Sequence, residues 1–172
     1  MPRSRRKLSA AVNEFVSELK RLETLDEDNQ ERFAEDTTTL TRKQLHCLTE
    51  SVFFRGFRAY ERFVRDVCLL YCLEKRPRSG SAVSSYLKPR NFLHAENLMR
   101  STQRFLDWGN PDKIISRAEL YLRNGFPLKL PYTTNREKLQ DFQRLRNHIA
   151  HDSEESLNGY KKVLRRHYGA LP

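Results

Sequence analysis

The amino-acid sequence predicts an all-α protein, a helical bundle built as one domain over residues 1–172. Three observations carry this reading. Apolar residues return at spacings of three and four along several long stretches. T-x-x-Q and T-x-x-E signatures, of the kind that cap a helix start, stand at Thr41 and Thr134. No stretch argues for a sheet, and no internal repeat is visible.

The elements follow in order. Leu8, Ala11, Val12, Phe15, Val16, Leu19 and Leu22 form one helical face. The acidic run LDEDNQERFAED, residues 25–36, then reads as a loop or as the polar end of that helix, closing an N-terminal region 1–40. A long second helix is expected over 41–75, on Leu45, Leu48, Val52, Phe53, Tyr60, Phe63, Val64, Val67, Leu70 and Tyr71. Its polar face carries Arg55, Arg58, Glu61, Arg62, Arg65 and Asp66, and Gly56 marks either a close helix crossing or a weak point.

Residues 76–133 form a variable insertion. Pro77, Gly80 and Pro89 forbid a continuous helix over 75–91. Phe92, Ala95, Leu98, Met99, Phe105 and Leu106 suggest a helix with an imperfect face. Asn110 and Pro111 supply a cap and a first helical residue, Ile114 to Leu122 continue the pattern, and Gly125 is placed to end it. FPLKLPY, residues 126–132, runs extended as a short strand or a strap. The last region, 134–168, opens at the Thr134 box with the stripe Leu139, Phe142, Leu145 and Ile149. DSEE, residues 152–155, then caps a fresh helix with Asp152 and Glu155, and that helix carries Leu157, Tyr160, Val163 and Leu164.

Charge narrows the partners. Lys and Arg number 32 against 22 Asp and Glu, a net charge of +10. Such an excess favours a polyanion partner, whether nucleic acid, a membrane surface or an acidic protein, and nucleic acid is preferred here over a merely basic surface. No run of about 18 apolar residues suggests a membrane span. The basic start PRSRRK, residues 2–7, lacks the apolar core of a signal sequence and reads as an RNA-touching or solubilising tip. Cys47, Cys68 and Cys72 show no metal-binding spacing; Cys68 and Cys72 read as buried thiols in a reducing, cytoplasmic setting. Tyr86, Phe92 and Trp108 could stack on bases, but core packing is the preferred reading.

The stretch RLRNHIAHDSEES, residues 144–156, concentrates chemistry. Histidine titrates near neutral pH and can take a proton from a ribose 2′-hydroxyl or give one to a leaving oxygen. Arginine grips phosphate through a planar fork, and asparagine can orient either. No cluster of carboxylates suggests a metal pair, so a cofactor-free route through the 2′-hydroxyl is expected, acting on RNA. In one straight helix Arg146 and His151 stand about 140° apart. Convergence then requires a bend after His151 or a second copy of the chain. The alternative is an ordinary helix end, where cations complement the dipole and Asn147 caps. The basic tail KKVLRRHYG, with Lys161, Lys162, Arg165 and Arg166, either holds an RNA backbone or compensates the dipole of the last helix.

RNHIAH, residues 146–151, resembles the R-x4–6-H motif of HEPN-domain ribonucleases, with Asn147 at the position where that family commonly has a polar residue. FRGFRAYERFVRDVCLLY, residues 54–71, is similar to the family's long early helix, with Tyr60–Glu61 as its aromatic–acid pair. The resemblance covers roughly 41–168 with an atypical middle. It implies a HEPN-like bundle and a metal-independent endoribonuclease of toxin or antiviral-defence type. It also implies a homodimer with a composite active site and a partner such as an antitoxin or defence complex. By position, Arg146 would contact phosphate, His151 would be the acid or base and Asn147 would support them, with Glu61, Arg144 and His148 as further supporting candidates. The family's nucleotidyltransferase-paired toxins carry a tyrosine two residues after the histidine; here that residue is Ser153, which argues against that particular partner. The alternative function is a catalytically silent RNA-binding or protein-interaction module, and a third is a basic helical adaptor for an acidic protein.

Overall fold

The computed structural model describes residues 6–35 and 38–169. Among these residues the chain is all-α, with seven α-helices and no strand beyond a single isolated bridge. They are α1 (Leu8–Glu35), α2 (Arg42–Cys72), α3 (Phe92–Arg100), α4 (Pro111–Tyr121), α5 (Lys129–Thr134), α6 (Arg136–Ala150) and α7 (Glu154–Tyr168). No helix among the described residues is long and apolar enough to cross a membrane.

The chain divides into two compact units. The first comprises Met1–Glu14 and Glu61–Gln140, the second Phe15–Tyr60 and Asp141–Pro172. In the first unit the end of α2 is buried almost all round, at Val64, Val67, Cys68, Leu69, Leu70 and Cys72, and Phe92, Met99, Trp108, Ile114 and Leu122 of the same unit are buried too. Phe92 and Trp108 are therefore core residues, and the Arg117 guanidinium lies 4.8 Å from the Trp108 ring centroid. Tyr86 stays 63% exposed. Cys68 and Cys72 are buried thiols, and the hydrogen bond from Cys72, followed by burial, pushes the Cys68 ionisation up.

Of the two readings of the acidic run, the polar end of the helix holds through Glu35, with Thr49 Oγ1 donating to Asp26 at 3.3 Å; other expectations change. Asp36 lies outside the described residues, as do residues 2–5 of the basic tip. Arg6 of that tip is engaged: its guanidinium lies 2.8 Å from Asp66. Asp66, read as polar-face, has a fully buried side chain that also receives the Arg65 guanidinium at 3.0 Å. Two arginines compensate the buried charge, which is why an aspartate can sit in the core.

In the insertion, α3 ends at Arg100 because Ser101 turns to positive φ, leaving Phe105 outside it and exposed. Asn110 caps α4 as expected, its side chain accepting from the Asp112 and Lys113 amides. That helix stops at Tyr121, short of Gly125, because Leu122 is drawn into an extended bridge with Ser85. FPLKLPY is not extended: after a turn it forms α5, and Pro131 is tolerated because it falls in the first helical turn. Thr134 is consequently helical and cannot cap α6; Asn135 takes that place, its carbonyl accepting from the Leu139 amide at 3.0 Å.

In the second unit, α2 starts where the Thr41 box predicts, with the Thr41 amide donating to Gln44 Oε1 at 2.9 Å and the Gln44 amide returning to Thr41 Oγ1. Rings of Phe53, Phe57, Tyr60, Phe15 and Phe142 pack with centroids 5.6 to 6.5 Å apart. Phe142 nevertheless remains 38% exposed, so the expected apolar stripe of α6 is only half covered. Gly56 does mark the approach of α1, but a Cβ there would stand 3.8 Å from Leu19 and Leu22, an ordinary contact. Gly56→Ala is therefore expected to raise stability by roughly 0.5–1 kcal/mol, the helix propensity of alanine over glycine, as a higher urea midpoint with unchanged m-value.

Candidate functional site

The site is built where α6 ends. The His151 amide still donates to the Asn147 carbonyl at 2.9 Å, so the helical pattern closes on His151 and the chain then leaves the axis. The new helix begins one residue later than the sequence suggests. Ser153, not Asp152, is the cap of α7, and Ser156, not Glu155, is its reciprocal partner. Ser156 is preferred because its buried hydroxyl also donates to the His151 carbonyl at 2.6 Å, satisfying a group that the helix end would leave open.

One carboxylate fixes the two helices side by side. Asp141 on α6 is 3% exposed. It accepts from Arg144 at 2.7 Å on one oxygen and from Arg166 of α7 at 2.9 Å on the other, with His167 at 3.5 Å. Close approach continues at Gly159, where an added Cβ would sit 3.5 Å from the Arg144 side chain. The His148 ring stacks on Tyr160 of α7, centroids 4.3 Å apart and planes 10° from parallel.

Between these contacts lies an open cleft of about 690 Å³. Arg144, Asn147, His151, Asn158 and Lys162 line it, together with Glu154 and Glu155 from the first turn of α7. His151 is exposed and reachable from solvent. The cleft thus gathers a titratable imidazole, two cations and two amides, offset by two carboxylates. Among the described residues no three His, Cys, Asp or Glu side chains are gathered as metal ligands.

The sequence-predicted residues divide. His151, Asn147, Arg144 and Lys162 share the cleft. Arg146 is not part of its lining: its guanidinium lies 5.8 Å from the Phe54 ring centroid and donates to Asn147 Oδ1 at 3.1 Å. His148, a supporting candidate by sequence, is a half-buried packing residue of the α6–α7 contact. Arg166 is committed to Asp141, Lys161 is half-buried and Arg165 is exposed. Glu61 is half-buried in the first unit and engaged by neighbours. Sequence reasoning missed Asp141 and Ser156. The i,i+3 pair Asp141–Arg144 was the visible signal for the first; nothing local distinguishes Ser156 from Glu155 as a capping partner.

No protein-family model, no curated protein and no solved structure matches this chain.

Ser153→Ala removes the acceptor for the Ser156 amide and is expected to lower stability by about 1 kcal/mol. Denaturant melts check this, and a Ser153→Asp control should hold wild-type stability.

Proposed function

We propose that the cleft at the end of α6 is an RNA-cleaving site of HEPN type that works without a metal. One observation carries the proposal: His151, Asn147, Arg144 and Lys162 line a single solvent-open cleft. In this reading His151 takes the proton from a ribose 2′-hydroxyl, whose oxygen attacks the adjacent phosphorus. The bond to the 5′-oxygen breaks, that oxygen receives a proton, and a 2′,3′-cyclic phosphate remains. Arg144 and Lys162 stabilise the added negative charge at phosphorus, and Arg144 is held ready by Asp141. Asn147 is oriented by Arg146, which makes Arg146 a positioning residue within one chain. The R-x4-H resemblance of residues 146–151 adds support. It also suggests a homodimer in which two such clefts supply acid and base, in a toxin or defence effector that a partner holds in check.

A second reading has its own support. Arg146 stands outside the cleft, and Glu154 and Glu155 line it beside the cations, as suits a catalytically silent RNA-binding module.

Cleavage of a generic RNA in EDTA separates the two. Wild type should cut and leave 2′,3′-cyclic ends, while His151→Ala should bind and fall in rate by 100-fold or more, the usual span for lost acid–base catalysis being about 10²–10⁴. Arg144→Ala should also lose rate. Equal cleavage by wild type and His151→Ala would remove His151 from the chemistry. Tight binding without cleavage by either would favour the silent module.

A further inference from the structure

The positive charge of this chain is unevenly placed. The first unit holds 19 Lys and Arg against 9 Asp and Glu, and the second holds 13 of each, so the entire net charge of +10 belongs to the first unit. The His151 cleft lies in the neutral one. Within the first unit the connection 75–90 carries Lys75, Arg76, Arg78, Lys88 and Arg90 and no acid.

This connection is tied down along its second half. Glu74 accepts from the Ser85 amide at 3.1 Å and from Lys88 at 2.7 Å. The Tyr86 amide donates to the Tyr121 carbonyl at 2.9 Å, and the Arg123 amide donates to the Ser84 carbonyl at 2.9 Å. The backbone here alternates as an extended chain does: Val83 and Ser85 are buried, Ser84 and Tyr86 exposed. Tyr86 is consequently presented to solvent on a held backbone, with Arg123 brought alongside and cations on either side in sequence.

We propose that this strap is a docking surface for single-stranded RNA. Arg76, Arg78, Arg90 and Arg123 take phosphates, and the Tyr86 ring is the platform for an unpaired base. An exposed ring flanked in sequence by arginines suits nucleic acid, because every base offers a face to stack and the backbone supplies regularly spaced anions. A lipid surface fits less well. The larger aliphatic residues of the strap, Val83 and Leu87, are buried and half-buried, leaving none exposed to enter the interface. The surface concerns binding alone and goes beyond the nuclease reading of the cleft.

The test is fluorescence anisotropy with a labelled 15-nucleotide oligouridine on full-length His151→Ala protein, which keeps the RNA intact. The triple variant R76S/R78S/R90S should bind at least tenfold more weakly. Its slope of log affinity against log salt should fall by about 2, roughly 0.7 for each phosphate no longer neutralised. R76K/R78K/R90K should bind near the parent level, which separates lost charge from lost folding. Tyr86→Ala should weaken binding about tenfold, within the range of about 1–3 kcal/mol for one stacked base, while Tyr86→Phe should retain it. K161S/R165S on α7 should change binding little. The proposal is overturned if the parent protein does not bind RNA, if the strap variants bind as the parent does, or if the α7 variant loses as much. Binding to acidic vesicles but not to RNA would also overturn it. Cleavage measured separately reports on the His151 reading: strap-dependent binding with no effect of His151→Ala on cleavage would sink that reading and leave this one standing.

Discussion

Asp141 holds a negative charge at a position 3% exposed on α6, and such a charge is stable there only with close, well-directed partners. Its two oxygens are taken separately, one by Arg144 from its own helix and one by Arg166 from α7. That division makes it a clamp between helices. With α7 held along α6, Gly159 comes against the Arg144 stem, His148 stacks on Tyr160, and Ser156 reaches the His151 carbonyl. The cleft beside His151 is the space these groups leave. Loss of the carboxylate would release Arg144 from its fixed direction as well as α7 from its seat.

Legibility in the sequence followed the range of the interaction. Helices set by repeating apolar residues and local caps were readable: the start of α2 at Thr41 with Gln44, and the Asn110–Pro111 start of α4. What escaped was set by distant partners. Asp66 and Asp141 look like surface residues in any window, because their partners Arg6 and Arg166 lie 60 and 25 positions away in the chain. Leu122 leaves its helix for a bridge to Ser85, and FPLKLPY coils rather than extends. At the candidate site, His151 and Asn147 were legible as a pair, since i,i+4 spacing puts them on one side of α6. The same projection puts Arg144 next to them and Arg146 nearer the core edge, as the cleft lining has it; what it does not show is Asp141 holding Arg144 or the Phe54 ring lying near Arg146.

The excess charge and the cleft residues are carried by different parts of the chain. The second unit, electrically neutral, holds an imidazole with two cations and two amides; the first unit holds the whole excess of positive charge and presents Tyr86 within it. For a protein that acts on a polyanion, such a division lets sequence-independent attraction work at one surface and proton transfer at another. Affinity can then be strong without a strongly positive cleft.

The clamp is the claim on which the site depends most, and a double-mutant cycle between Asp141→Asn and Arg166→Met measures it directly. Unfolding free energies of the wild type, both single variants and the double variant should give a coupling of about 1–2 kcal/mol, as for contacting charges with a buried member. The two effects adding to within about 0.3 kcal/mol would contradict the account, since α7 would then be held against α6 without this contact.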